Sequence, residues 1–263
     1  MKKLTLTVLL VVGSLNLYAQ TVAFINYRKV PQKELETFMN NEAMYWSKIH
    51  AVMKEKGHIV GWSINVRAGG GLDSEPNVYS RIALKSMEDW DDFGTHWSKA
   101  VVEVESQMDP DKLALIKEKL KQDKFSVANV LHQGVDGVWA KDSKWNFLVH
   151  NYVKTVNPAQ YLEQESKIMK PFFEKTMKEG KTKQKGWVTS LVLSPRGYSY
   201  NYNVMTVDFY ENFSDIFNAL DSDVSWPENI TALNEMKQNQ GFWKSSIWQR
   251  AMYLDSENNL VIQ

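Results

Sequence analysis

The chain has 263 residues and a formal net charge of zero, with 31 lysines and arginines against 31 aspartates and glutamates. A nucleic-acid-binding protein usually shows a basic excess or a basic stripe, so this balance argues against nucleic acid as a partner. The absence of cysteine excludes disulfides, thiol nucleophiles and cysteine-ligated metals.

The N-terminal segment has the pattern of a secretory signal peptide. Lys2 and Lys3 precede a short apolar run, LTLTVLLVV (4–12), and Ala19 offers a small residue for cleavage. The apolar run is too short to span a bilayer, which needs about 20 residues. The sequence therefore predicts a signal peptide at 1–19 and an exported mature protein, periplasmic or extracellular, with no membrane association after cleavage.

The first copy of a recurring pattern follows the leader. Its predicted elements, in chain order, are a strand at 21–30, a helical segment at 32–57 ending at Gly57, strands near 59–67 and 77–85, a helical region at 87–122 and a strand near 125–133. The loop RAGGGLDSEP (67–76) contains three glycines but is followed by a strand. A phosphate cradle needs a helix start there, so the loop reads as a flexible hairpin connection.

The second copy repeats this order. Its elements are a strand at 146–155, a helical segment at 158–180 ending at Gly180, strands at 186–193 and 199–208, a helical region at 210–239 and a strand near 243–253. Three pairs of matching words occur in the same order: NYRKV (26–30) with NYVKT (151–155), Gly61-Trp62 with Gly186-Trp187, and Glu88-Asp89-Trp90 with Glu211-Asn212-Phe213. Ordered matches of this kind indicate an internal duplication, with repeats at 20–145 and 146–263.

Each copy has the order βαββαβ, which is that of the ferredoxin-like split βαβ unit. Both helices then cover one face of an antiparallel sheet, and the other face needs a cover. The predicted class is α+β, with two tandem ferredoxin-like units whose sheets close on each other as an intramolecular barrel. This layout resembles the dimeric α+β barrel superfamily in a fused, tandem form. The resemblance implies a cleft, between sheet and helices or between sheets, that holds a small molecule; members include cofactor-free and haem-degrading monooxygenases and chlorite dismutase-like proteins.

The histidines give no metal signature. They are His50, His58, His96, His132 and His150, and no two have a short metal-ligand spacing. No metal site and no cofactor is predicted from these residues. A single haem-ligating histidine needs no spacing partner, so haem stays an open alternative.

One acidic residue in each copy interrupts an apolar helical stripe. Glu42 lies among Leu35, Met39, Trp46, Ile49 and Met53, and Glu165 lies among Leu162, Ile168, Met169 and Phe172. A carboxylate on the face that meets the sheet must find partners or become protonated. We expect both carboxylates to be buried within hydrogen-bond reach of their own unit's first strand or of a neighbouring basic or hydroxyl group, with Asn26 and Asn151 as the first candidates. Structural hydrogen bonding and ligand or proton chemistry are both open for this pair.

The repeated Asn-Tyr word places two side chains on opposite faces of a strand. The asparagines share a mostly apolar face that suits the helices, whereas Tyr27 and Tyr152 share a mixed face that suits a barrel interior. Tyr27 and Tyr152 are expected to meet there. The candidate ligand-binding residues are Tyr27, Tyr152, Tyr79, Tyr202, Trp62, Trp187 and His150.

Three functions stay open. The favoured one is an exported module that binds a small apolar or aromatic molecule among these aromatic side chains. The second is an enzyme of the monooxygenase type or one that handles haem, for which His150 and Asn151 are the candidate polar pair. The third is a non-catalytic interaction protein with a solid barrel and an unknown protein partner.

Overall fold

The computed structural model describes residues 21–69, 76–121, 123–141, 143–197, 201–237 and 244–263. The proposed signal peptide and most of the triple-glycine loop lie outside the described residues. Both are therefore predictions of the sequence alone.

The described elements follow the βαββαβ order twice. In the first copy they are β1 (Val22–Arg28), a 3-10 turn (Gln32–Glu34), α1 (Leu35–Asn41), a π-helical turn (Glu42–Trp46), α2 (Ser47–Glu55), β2 (Gly61–Arg67), β3 (Val78–Leu84), α3 (Glu88–Asp91), α4 (Phe93–Ser106), α5 (Pro110–Leu120) and β4 (Ser126–Trp139). In the second they are β5 (Phe147–Val153), α6 (Pro158–Lys178), β6 (Gln184–Ser194), β7 (Val204–Tyr210), a 3-10 turn (Phe213–Ile216), α7 (Ile230–Glu235), β8 (Lys244–Leu254) and β9 (Leu260–Ile262). The mixed α+β class predicted from the sequence is confirmed.

The described chain forms two compact units. The first contains Val22–Leu131, Asn146–Leu148 and Ser246–Gln263, and the second contains Thr21, His132–Trp145 and Val149–Ser245. The residues of β4, β5 and β8 are divided between these two units. The tandem ferredoxin-like repeats, with their boundary between residues 145 and 146, stay predictions of the sequence.

The first unit packs its helices on one face of an antiparallel sheet. Strand β3 pairs with β1 on one side and with β2 on the other, and β2 also pairs with β8. Ile49 and Met53 of α2 and Ala100 of α4 meet Trp62 of β2 in a buried core. Trp97 of α4 also stacks on Trp46, with ring centroids 5.6 Å apart. The long α4 thus fills the space over the sheet.

The second unit places one long helix against the sheet strands β4, β6, β7 and β5, in that hydrogen-bonded order. Helix α6 begins after Asn157, whose side chain accepts a hydrogen bond from the backbone N–H of Gln160. It ends before Gly180, whose φ of 69° is the left-handed conformation that glycine adopts at a helix C-terminus. Gly57 has the same role in the first copy, with a φ of 74°. Both glycine stops were predicted from the sequence.

The two copies differ in their second helical region. The helix predicted over 210–239 is wrong for most of its length, because the described residues there contain only the 3-10 turn after Asn212 and the short helix α7. Asp221, Asp223 and Pro227 lie in the intervening segment and favour turns over helix. No equivalent of α4 lies over β6 and β7 among the described residues, and a cavity lies in that place.

Candidate functional site

The second unit contains a cavity of about 710 Å³ on the helix-facing side of its sheet. Helix α6, strands β5 to β7 and the segment 216–237 supply its walls. The apolar walls include Met169, Phe173, Trp187, Trp226, Ile230 and Leu233, and the polar lining includes Asn151, Tyr161, Glu165, Thr206, Asp208 and Lys237. Few voids of this size persist in well-packed protein interiors.

Aromatic rings form one end of the cavity. The ring centroid of Phe173 in α6 lies 5.7 Å from that of Trp187 in β6 and 6.5 Å from that of Trp226. Trp187 is 2% exposed and belongs to the core. Trp226 is 52% exposed and covers the cavity from the solvent side. The rings offer flat apolar surfaces at the wall and at the entrance.

Glu165 is the buried acid of this cavity. Its side chain is on the sheet-facing side of α6, and the residue is only 6% exposed. The hydroxyl of Tyr161 donates a hydrogen bond of 2.7 Å to Oε1. Oε2 has no hydrogen-bond partner among the described residues. Burial raises the pKa of Glu165 to about 7, against the opposing effects of the Tyr161 hydrogen bond and the Lys237 charge.

Asp208 supplies a second carboxylate to the same cavity. It lies on β7 directly opposite Trp187 of β6, so both side chains are on the face that meets α6. The side-chain amide of Gln184 donates a hydrogen bond of 2.7 Å to Oδ1, and that of Asn151 donates one of 2.7 Å to Oδ2. Burial raises the pKa of Asp208 to about 6, although both amides favour the ionised form.

Glu165 accepts a hydrogen bond from a neighbouring hydroxyl, one of the kinds of partner expected, but not from Asn151, the first candidate. The Asn151 amide nitrogen donates to Asp208, at 2.7 Å, and to the Thr206 hydroxyl, at 3.3 Å. The Asn151 amide oxygen accepts from the Ser245 hydroxyl at 2.9 Å. Glu165 is satisfied instead from its own helix, by Tyr161. Asn151 does lie on the helix-facing side of β5, as its position in the Asn-Tyr word indicated.

The first unit holds its buried acid in a different way. Glu42, 2% exposed, lies in the π-helical turn and forms an ion pair of 3.7 Å with Arg28 of β1. Asn26 does not bond to Glu42: it accepts from Arg28 at 2.6 Å and donates to Ser126 at 2.7 Å. Burial raises the pKa of Glu42 to about 7, and the Arg28 charge lowers it in part. Arg28 also pairs with Asp123, at 2.8 Å.

The candidate tyrosines pair within each unit. In the first, Tyr27 and Tyr79 have centroids 5.7 Å apart, and both contact Trp248 of β8, at 6.1 and 4.7 Å. In the second, Tyr152 and Tyr202 are 4.8 Å apart. None of the four lines the 710 Å³ cavity. The expected contact between Tyr27 and Tyr152 stays a prediction.

Two histidines accompany the tyrosines of the second unit. The Tyr152 hydroxyl lies 3.4 Å from Nδ1 of His150, and the Tyr202 hydroxyl lies 3.4 Å from Nε2 of His132. His132 is also 3.3 Å from the Ser190 hydroxyl. The sequence singled out His150 here, whereas His132 carried no signal beyond being a histidine in a strand.

The structure separates Trp62 and Trp187 from the tyrosines. Trp62 lies opposite Ile82 of β3 and shares its face of the sheet. Ile82 is three residues from Tyr79 on the same strand, and an odd spacing places two side chains on opposite faces. Trp62 stacks on His50 of α2 at 5.1 Å, as Trp187 packs on Phe173. Both tryptophans therefore face helices, and of the two only Trp187 lines the cavity.

The described lining of the cavity does not fit a histidine-ligated haem. It contains no histidine, and the described residues contain no group of three or more histidines, aspartates or glutamates that could hold a metal ion. His50 is buried beside Trp62, and its Nδ1 lies 2.7 Å from the backbone oxygen of Trp46. Burial lowers the pKa of His50 to about 3, so its ring is neutral.

Among the described residues, no helix combines the length and the apolarity that crossing a bilayer requires. No family model matches the chain, and no curated protein matches it. Solved structures do match. A candidate monooxygenase from Fusobacterium nucleatum shares 12% identity, with a TM-score of 0.57, over 94% of this chain and 99% of its own.

Two further structures have similar scores. An anthrone oxidase-like protein shares 11% identity at a TM-score of 0.52, over 89% of this chain and 92% of its own. A variant of chlorite dismutase from Candidatus Nitrospira defluvii shares 9% identity at a TM-score of 0.50, over 90% of this chain and 94% of its own. These are dimeric α+β barrel proteins, and the likeness shows that this chain shares their fold. At such identities nothing about activity follows from the fold.

Proposed function

We propose that the second unit binds a small, partly aromatic or apolar molecule in the cavity between α6 and the sheet. The observation that carries this proposal is the combination of about 710 Å³ of space, aromatic walls and a few converging polar groups. Small-molecule sites are typically of about 300–1,000 Å³ and have this mixed lining. The site differs from the one expected from the sequence, because it lies on the helix-facing side and not among the tyrosines.

The comparison between the copies supports a binding role. In the first, Trp97 and Ala100 of α4 cover the core around Trp62. In the second, Trp187 is kept, but the covering helix is replaced by turns and the short α7. A partly open cavity that holds the buried Glu165 and the half-buried Asp208 costs stability, through lost packing and through desolvated charge. A bound molecule would recover part of both costs.

Native mass spectrometry and calorimetry test this function together. Protein purified without denaturation is expected to retain a small molecule, and 1-naphthylmethanol, a neutral bicyclic probe, is expected to bind the emptied protein. Trp226→Ala removes the solvent-side wall and should weaken probe binding. The matched control is Trp97→Ala, which removes the corresponding aromatic cover in the first copy and should leave binding unchanged. Absence of both a retained mass and probe binding would overturn the proposal.

Glu165 favours a second candidate function, removal of a proton from a weakly acidic aromatic substrate. A carboxyl group with a pKa near 7 that lines a cavity with aromatic walls is suited to general base catalysis at neutral pH. One structure of similar fold is described as anthrone oxidase-like, and anthrone carries acidic C–H bonds. The test is hydrogen–deuterium exchange at the methylene carbon of anthrone. Exchange above the buffer rate, lost in Glu165→Gln, supports this function, and equal rates for both proteins contradict it.

We further propose that the protein is exported after cleavage near Ala19. The positive start, the short apolar run and the small residue support this. N-terminal sequencing of the protein from the cell envelope or the medium should find a chain that begins after the leader. A mature protein that begins at Met1 would contradict export by this route.

A further inference from the structure

The lining of the cavity carries more negative than positive charge. Glu165 of α6, Asp208 of β7 and Glu235 of α7 contribute carboxylates from three separate elements. Among the described lining residues, Lys237 alone contributes a cation, and its Nζ donates to the Asn234 side chain at 3.0 Å. The site therefore favours a ligand that brings positive charge.

Neither Glu165 nor Asp208 forms a close ion pair among the described residues, although the charge of Lys237 acts on Glu165. Both donors to Asp208 are neutral amides, those of Gln184 and Asn151. Glu165 is more than nine-tenths buried, yet Oε2 has no hydrogen-bond partner among the described residues. Its hydrogen-bond donor, Tyr161, is also neutral. A buried carboxylate normally finds a cationic partner or is protonated.

The aromatic wall is consistent with the same ligand chemistry. The faces of aromatic rings attract cations, and tryptophan does so most strongly. Trp187 and Trp226 both contact Phe173, and all three rings line the cavity. These rings accept either the apolar body of a ligand or the methylene groups next to an ammonium.

From these observations we propose that the ligand is an organic cation, a protonated primary amine on an aromatic or apolar body. Its ammonium group donates to Oε2 of Glu165 and to Asp208, and its body packs against Trp187 and Phe173. This inference rests on the proposed binding function and specifies the ligand class of the same cavity. A carboxylate-bearing ligand would be repelled by both acids. A neutral hydroxyl could satisfy Oε2 but would leave the charges uncompensated.

Proton linkage predicts how the affinity for such a ligand depends on pH. The groups that face Glu165 are Tyr161 on its own helix, Lys237 after α7 and Asp208 on β7. Asp208 also faces Tyr210 of its own strand, whose pKa is raised by burial and then by the Asp208 charge. The amine binds the ionised carboxylates, so its affinity should increase as pH rises through their titration range. The neutral probe has no such requirement.

Calorimetry with 1-naphthylmethylamine and 1-naphthylmethanol tests the inference on the intact protein. These probes have the same body and differ in the ammonium group. At about pH 8, where the carboxylates are ionised and the amine is still protonated, we expect the amine to bind about tenfold more tightly or better. At about pH 5 the ratio should fall towards one. Glu165→Gln should reduce the ratio at the higher pH.

The outcomes separate the inference from the function on which it rests. If both probes bind with equal affinity at the higher pH, the cationic ligand class is overturned and the binding function stands. If neither probe binds, the binding function itself fails. The wild-type pH dependence needs no variant, so a misfolded Glu165→Gln protein would not remove the test.

Discussion

The hydroxyl of Tyr161 donates a 2.7 Å hydrogen bond to Glu165, one turn further along α6. Burial, and then the nearby carboxylate, raises the pKa of Tyr161, so the phenol keeps its proton. Tyr161 is therefore a fixed donor that stabilises the ionised form of Glu165. This pair sets how far the pKa of the acid in the cavity rises.

Replacing Tyr161 with phenylalanine should raise the pKa of Glu165 above its value of about 7, because the donor to the ionised form is lost. We also expect a loss of about 1–3 kcal/mol in the free energy of unfolding, as is typical when a buried acceptor loses its donor. Carbon-13 NMR of the Glu165 carboxyl group measures the titration directly. Tyr45→Phe is the matched control, since Tyr45 donates to Glu105 in the first unit at the same 2.7 Å. An unchanged Glu165 titration in Tyr161→Phe would contradict this role.

The stability of the protein should fall as pH rises through the titration of Glu165. Below about pH 4.5, the ordinary pKa of the group, its carboxyl is protonated in both the folded and the unfolded chain. Between about pH 4.5 and about pH 7 the unfolded chain ionises while the folded one resists, so the free energy of unfolding decreases. Above that window the loss is complete and constant.

Glu165→Gln should remove this contribution. Urea unfolding at several pH values should give the variant a shallower decrease, by up to about 1.4 kcal/mol per pH unit inside the window. Glu163→Gln is the control, because Glu163 is exposed on the same helix and paired with Lys167. Equal slopes for the wild type and Glu165→Gln would show that Glu165 is not perturbed by burial.

Gly186 and Gly61 are duplicated glycines with different surroundings. A Cβ atom on Gly186 would collide with the ring of Trp139, whereas one on Gly61 would meet nothing within 4 Å. Gly186→Ala should therefore cost about 1–3 kcal/mol of unfolding free energy, the usual range for overpacking. Gly61→Ala should be neutral or stabilising, because alanine has less conformational freedom to lose in a strand. Thermal unfolding of both variants checks this, and equal effects would contradict the steric argument.

The sequence predicted the elements well where local signals decide them. The Asn-Tyr word indicated that Asn151 is on the helix side of β5, and the apolar stripe of α6 indicated that Glu165 faces the sheet. The cavity could not be predicted, because it depends on the absence of a long helix over β6 and β7, where the sequence predicted a helical region at 210–239. Asp208 shares its face of VMTVDFY (204–210) with Val204, Thr206 and Tyr210, and its importance comes from the register that places it opposite Trp187.

Glu42 gives the last prediction, since it is the counterpart of Glu165 and lies in the other unit. Because the pKa of Glu42 is about 7, the neutral glutamine side chain, which has the same size, resembles the protonated form of Glu42. In the variant Arg28 still has an ion-pair partner, because Asp123 lies 2.8 Å from it. Glu42→Gln should therefore cost at most about 1 kcal/mol, the usual net worth of one hydrogen bond. Glu42→Ala also leaves a void and should cost about 2–5 kcal/mol, as for other large buried side chains. Urea unfolding at neutral pH measures both, and the binding of 1-naphthylmethylamine in the second unit should be unchanged in either variant. If Glu42→Gln is as damaging as Glu42→Ala, the ion pair with Arg28, and not side-chain volume, is what the first unit requires at this position.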